Sequence, residues 1–201
     1  MKYKDIAAVI LAGGRNTRMG GSDKAMLLVE GRSILERSIS VLKEIFEEVI
    51  IVTNDTRTYN YDGVKVVKDE IKNIGPLGGI YTGLCSVNEE AAFFVACDMP
   101  FLQKDLIFRI AGAFKDSCHD ALLPRVGDRI EPLCAVYKSS LKGEIYNYIR
   151  DNKDYAIKRF LENVNVGYLE CENDDFYAQA FKNVNTPEDT RGIMPPWGKD
   201  I

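Results

Sequence analysis

The stretch Val9–Lys24, VILAGGRNTRMGGSDK, decides how the rest of the chain is read. Branched apolar residues run into Gly13-Gly14, and a polar segment then carries Arg15, Arg18 and Lys24. An apolar strand, then glycines, then cations is how an open α/β sheet presents a phosphate-binding loop at the carboxyl end of its first strand. Glycine lets backbone N–H groups come close to an anion, and the cations neutralise it. The competing reading is a surface turn with solvated charges. A strand directly before the glycines, and three cations soon after them, weigh against that reading. The loop is not a Walker A loop, because Lys24 follows Gly20 by four residues and precedes Ala25. It also lacks the GxGxxG dinucleotide pattern. What remains is a nucleoside triphosphate cradle of another type.

Working outward, Asp5–Leu11 and Val49–Thr53 are apolar runs without alternation, the pattern of strands buried on both faces. Val64–Val67, Ala91–Cys97, Asp120–Leu123, Glu131–Tyr137 and Val166–Leu169 read as further strands, with Phe181–Val184 as one more candidate. Ser33 and Glu36 form a capping box, and Ile34, Leu35, Ile39, Leu42, Ile45 and Phe46 follow at helical spacing. Ile74–Gly79 reads as a second glycine-rich turn with a helix after it to about Val87. Gln103–Phe114, Ser140–Arg150 and Tyr155–Asn163 are also helical, and Thr186 caps a helix that opens at Pro187. Strand–helix alternation of this kind predicts a mostly parallel, Rossmann-like α/β sheet with helices on both faces. No repeat or low-complexity linker divides residues 1–201, so one domain with an irregular tail from about residue 193 is expected.

Composition narrows the function. The 201 residues are 46% hydrophobic and 28% charged, enough to bury a core. Twenty-six Lys and Arg stand against 30 Asp and Glu, a formal charge of −4, which argues against a nucleic-acid binder. Any anionic ligand must then be met by a local cationic patch. Cys85, Cys97, Cys118, Cys134 and Cys171 form no CxxC pair, and His119 is the one histidine. Neither a disulfide framework nor a zinc site is expected, which points to a reducing cytoplasm. Met1–Val9 lacks the apolar core of a signal peptide, and no apolar run is long enough to span a membrane.

Asp98 ends the apolar run Ala91–Cys97 and so belongs on the same rim as the glycine loop. A carboxylate there can hold a divalent cation against phosphates, or it can simply cap the helix near Gln103 or close a turn with Pro100. The longer string LAGGRNTRMGGSDKAML resembles the signature of the small nucleotidyltransferases of the molybdenum cofactor guanylyltransferase family. Leu11, Ala12, Gly13, Gly14, Arg18, Met19, Gly20, Asp23 and Lys24 match it in order. Cys97–Leu102, Pro76–Gly79, Glu131–Ala135 and Asn183–Asp189 resemble further segments of that family, so the likeness spans Val9–Asp189.

The resemblance implies a three-layer α-β-α fold of the nucleotide-diphospho-sugar transferase type. It implies Mg²⁺-dependent transfer of GMP from GTP to the phosphate of Mo-molybdopterin, with release of pyrophosphate. It places Leu11, Ala12, Gly13, Gly14, Asn54 and Asp69 on the nucleotide, with backbone N–H groups of residues 11–14 as donors. Arg18 and Lys24 fall on the triphosphate, and Asp98 on the metal, with Asn185 as a second candidate for that role. Pro76, Gly78, Arg125, Arg129 and Glu131 fall on the acceptor side, although Arg125 and Arg129 read equally well as exposed charges. No nucleophile–base pair stands out, which suits direct transfer. The expected partners are small-molecule substrates together with molybdenum-insertion proteins and molybdoenzyme chaperones, and the chain is expected to be a monomer. Rival readings keep the fold but change the specificity, as in a molybdopterin cytidylyltransferase, or make the chain a non-catalytic nucleotide-binding subunit.

Overall fold

Six consecutive apolar residues with no room for solvent on either side must lie at the centre of a sheet, and Ile6–Leu11 (β1) does so with all six buried. In the computed structural model, which describes residues 2–13, 24–71, 73–172, 175–186 and 189, β1 pairs in parallel on both edges. Val49–Thr53 (β4) lies on one side and Ala91–Ala96 (β6) on the other, so that Ile10 faces both Ile51 and Val95. Lys65–Lys68 (β5) extends the β4 edge in parallel. Beyond β6 comes Cys134–Lys138 (β9), antiparallel to β6 and to Ala121–Val126 (β7). Val166–Glu170 (β10) closes that edge parallel to β7, and short Arg129–Ile130 (β8) pairs back on β7. The sheet is therefore mixed and mostly parallel, in the order β10-β7-β9-β6-β1-β4-β5.

Alternate residues of β1 feed two cores. Ile6, Ala8 and Ile10 pack with residues of Ile34–Ile45 (α1) and Lys104–Lys115 (α3), including Leu42 and Ile107. Ala7, Val9 and Leu11 pack on the other face with Pro76–Ser86 (α2), Leu141–Asp151 (α4) and Ile157–Leu161 (α5). Tyr177 and Ala180 of the short Asp175–Ala180 (α6) join the first core. This is the three-layer α-β-α arrangement. The capping box at the start of α1 is present in full, with Glu36 N–H donating to Ser33 Oγ and Ser33 N–H to the Glu36 carboxylate.

Three local expectations are corrected. The helix expected after Gly79 begins at Pro76, the first helical position, where a missing N–H is tolerated. Strand β9 starts at Cys134 rather than Glu131, because Cys134 N–H turns back onto the Glu131 carbonyl. Phe181–Val184 is not a strand, although Phe181 and Val184 are both buried. The irregular tail expected from residue 193 lies outside the described residues. None of the five cysteines forms a disulfide.

One glycine sets the depth at which α2 sits. A Cβ on Gly83 would come 2.5 Å from the Phe94 ring and 2.9 Å from Val9 Cγ1, so only a bare Cα lets the helix lie this flat on β1 and β6. Its first turn, Gly75-Pro76, is thereby held at the carboxyl ends of the parallel strands.

Candidate active site

Parallel strands end on a common rim, and the connections leaving β1, β5 and β6 border one cleft there. Leu11, Ala12 and Gly13 form one wall, Asp69 with Gly75, Pro76 and Gly79 another, and Cys97 and Asp98 a third. Lys24, from the single-turn helix Lys24–Met26, faces in from the front. The amino end of α2 adds the partial positive charge of its unpaired N–H groups.

The glycine loop meets the cleft mainly through its apex. Ala12 N–H donates to the Val52 carbonyl at 2.8 Å, so it is not available to a ligand. Leu11 is a strand residue paired on both sides, and its carbonyl accepts from Cys97 N–H. The expectation that N–H groups of residues 11–14 all face a nucleotide is therefore narrowed to Gly13 among the described residues. Asn54 lies beside it, since a Cβ on Gly13 would stand 3.5 Å from Asn54 Nδ2. Gly14 and Arg18 fall outside the described residues.

Asp69 is tightly fixed. Its Oδ1 accepts from Thr82 Oγ1 at 3.0 Å and from Ile71 N–H at 3.3 Å, while its own N–H donates to the Thr53 carbonyl. Thr82, buried in α2, is a positional element that sequence reading did not single out. Its signal was there, because Gly79, Thr82 and Gly83 share the helical face turned to the sheet.

Asp98 has the opposite character. Its Oδ1 is buried and accepts no hydrogen bond among the described residues. Desolvation pushes its carboxyl above the usual carboxylate range, and the nearby Lys24 charge offsets that only in part. The Asp98 carbonyl accepts from Val184 N–H at 2.8 Å, which brings the next residue, Asn185, to the cleft. Lys24 Nζ then donates to Asn185 Oδ1 at 2.7 Å, a contact between positions 161 apart in sequence. The structure thus brings Lys24, Asp98 and Asn185 together. Downstream, Asp189 accepts from Asn185 and Thr186 N–H, while Thr186 Oγ1 accepts from Asp189 N–H, the capped turn expected there.

The residues expected on the acceptor side scatter. Arg129 and Glu131 form an ion pair and line a second, neighbouring cleft with Tyr177 and Phe181. Burial raises the Glu131 carboxyl, Arg129 lowers it in part, and the Asp98 charge adds to the rise. Arg125 instead pairs with Glu170 through Nε at 2.8 Å and stacks 4.4 Å over Tyr168, on the far edge strand. Gly78 is buried, and a Cβ there would come 2.9 Å from the Ile71 carbonyl, so its role is close packing. Pro76 lines the first cleft, beside Asp69.

A buried carboxylate oxygen with no partner among the described residues, an ammonium group opposite it and a helix amino end nearby could hold a cation and a polyphosphate. Among the described residues no three His, Cys, Asp or Glu side chains converge as a metal cage. Mg²⁺ is commonly held by one or two carboxylates plus substrate phosphates and water, and Asp98 is a carboxylate that could serve in this way.

A family model, the MobA-like NTP transferase domain, matches residues 8–166. The chain belongs to the MobA-like NTP transferase family. Within this family it resembles the "Probable molybdenum cofactor guanylyltransferase" of Natranaerobius thermophilus, at 34% identity over 97% of this chain and 98% of that one. It is 35% identical to the molybdenum cofactor guanylyltransferase of Syntrophotalea carbinolica, over 91% of this chain and 88% of the relative. The crystal structure of molybdopterin-guanine dinucleotide biosynthesis protein A from Archaeoglobus fulgidus superposes with a TM-score of 0.76 at 25% identity, covering 94% of this chain and 95% of that one. Membership of the MobA-like family makes the chain a nucleotidyltransferase. No helix among the described residues is long and apolar enough to cross a membrane.

Proposed function

We propose that this chain transfers GMP from GTP to the terminal phosphate of Mo-molybdopterin, giving molybdopterin guanine dinucleotide and pyrophosphate, with Mg²⁺ as cofactor. The observation that carries the reading is the buried Asp98 Oδ1, without a partner among the described residues, on a carboxylate that faces Lys24 across the cleft. The curated relatives with this reaction in their names supply the substrates.

Asp98 would hold Mg²⁺, with Asn185 beside it, and the ion supplies charge neutralisation on the phosphates when bound. Lys24 would hold the triphosphate, steadied from behind by Asn185, with Arg18 as a second cation. Gly13, Gly14 and Asn54 would meet the nucleotide from one wall, with the lining surface of Leu11 and Ala12. Asp69, its carboxylate held by Thr82, would do so from the opposite wall. The neighbouring Arg129–Glu131 cleft, with the rings of Tyr177 and Phe181, is the acceptor side. The acceptor phosphate attacks the α-phosphorus, pyrophosphate leaves, and the residues contribute positioning and electrostatic stabilisation. The substrates are small molecules made and used in the cytoplasm, where molybdenum-insertion proteins and molybdoenzyme chaperones would deliver the acceptor and receive the product.

Pyrophosphate release from GTP, CTP, ATP and UTP, with and without molybdopterin acceptor, in Mg²⁺ and in EDTA, tests the proposal. Release from GTP only, and only with acceptor and Mg²⁺, is expected. Preference for CTP replaces the base assignment, and nucleotide binding without release under any condition overturns catalysis.

A further inference from the structure

A small apolar cluster stands apart from the two main core faces. Val29, Ile34, Phe101 and Val184 are buried in it, and Leu27 packs against them. Each of three site groups lies within three positions of one of its members. Leu27 stands three positions after Lys24, Phe101 three after Asp98, and Val184 directly precedes Asn185. The main chain tightens the link, since Leu27 N–H donates to the Lys24 carbonyl and Ile34 N–H to the Leu27 carbonyl.

Arg37 of α1 covers this cluster. Its guanidinium lies 5.9 Å from the centre of the Phe101 ring. Nε donates to the Pro100 carbonyl at 3.3 Å, while Nη1 reaches the Val29 carbonyl at 3.4 Å and Glu30 Oε2 at 3.1 Å. The side chain is only 17% exposed. Pro100 belongs to the turn that carries Asp98. Val29 belongs to Leu28–Val29 (β2), which pairs antiparallel with Arg32–Ser33 (β3) in the hairpin that follows Lys24. The hairpin turn is unusual, because Glu30 takes φ 52° beside Gly31 at φ 80°. Such a two-residue turn favours Asn or Gly at its first position, and a glutamate there is held against a steric preference. Its carboxylate is the one that meets Arg37.

We propose that Arg37 is a positioning residue for the transfer reaction, locking the hairpin behind Lys24 to the turn that carries Asp98. A planar guanidinium bonded to both carbonyls fixes their separation in a way a lysine ammonium does not. Displacement of about 1 Å in such a constellation can lower turnover by about a hundredfold. The catalytic consequence rests on the reading given under Proposed function, whereas the mechanical lock does not.

The test uses the full chain with Arg37→Met, Arg37→Lys, Lys24→Ala and the Arg37→Met/Lys24→Ala double variant. Amide exchange is expected to speed up at least about tenfold in Arg37→Met at segments 24–29, 98–102 and 182–186, with β1 and β4 unchanged. Turnover should fall about 10–100-fold with KM for GTP within about threefold, and Arg37→Lys should lie between. The double variant should be no slower than Lys24→Ala alone, because one substitution already removes what the other positions. Unchanged exchange at those three segments overturns the lock, whatever the reaction proves to be. Unchanged turnover in folded Arg37→Met, or multiplicative losses in the double variant, overturns the positioning role. If Arg37→Met fails to fold, Arg37→Lys carries the same comparison. Wild-type chain that releases no pyrophosphate defeats the transfer reading and leaves the exchange result to decide the lock.

Discussion

Two aspartates border the same cleft at the carboxyl ends of β5 and β6, parallel strands with β4 and β1 between them, and they are treated in opposite ways. Asp69, after β5, has its carboxylate held by Thr82 and by Ile71 N–H. Asp98, after β6, has a buried Oδ1 with no partner among the described residues, and its carboxyl is pushed up by desolvation. A buried ionised group without a partner is destabilising, and folded chains rarely keep one without another use for it. The Asp69 turn is built to stay still, whereas the Asp98 turn keeps a costly group ready for something that binds.

The largest test of this contrast is Asp98→Asn. Turnover should drop by at least about 10²–10³-fold, while the melting temperature rises by a few degrees because an uncompensated carboxylate has gone. A lower melting temperature or retained turnover would erase the distinction between the two turns. Lys24→Ala should follow with about a 10–100-fold loss of turnover, since it removes the one described cation that faces Asp98.

Thr82→Val strikes the other aspartate. It leaves Asp69 Oδ1 and Glu70 N–H short of a partner, at about 1–3 kcal/mol, or about 2–4 °C per kcal/mol for a chain of this size. KM for the nucleotide should rise more than turnover falls, and a calorimetric scan beside steady-state kinetics separates the two effects.

A pH series sharpens the comparison further. With its carboxyl raised in the folded chain, Asp98 binds a proton that the unfolded chain has already lost. Stability in EDTA should therefore decline as pH climbs from the ordinary Asp range through the raised value, and Asp98→Asn should flatten that decline. The smallest effect belongs to Arg125→Ala. Its guanidinium serves Glu170 and Tyr168, away from both aspartates, and kcat/KM should change less than about twofold.

The layers of the fold were legible because continuous apolar runs and helical periodicity are local signals. β1, β4 and β6 and the capping box at Ser33 emerge from the residues alone. Phe181–Val184 misled, since two apolar ends buried by irregular chain look in sequence like the ends of a short strand. The site divided along similar lines. Asp98 and Lys24 could be singled out by their place after strand and glycine loop. Arg125 could not be told from an acceptor contact, because its partner Glu170 is 45 positions away and the pairing depends on the register of β7 with β10. Thr82 and Arg37 act by bonding to groups that tertiary folding alone brings near, so the helical spacing of Thr82 with Gly79 marks its face but not its partner, and nothing local marks Arg37.

The 161-position reach of the Lys24–Asn185 bond also sets a schedule for the growing chain. A ribosome has finished β10 at Glu170 before residue 184 exists, so every strand of the sheet can pair while Lys24 still lacks its Asn185 partner. The bond that seats Lys24 beside Asn185 thus waits for a segment made only after the last strand of the sheet.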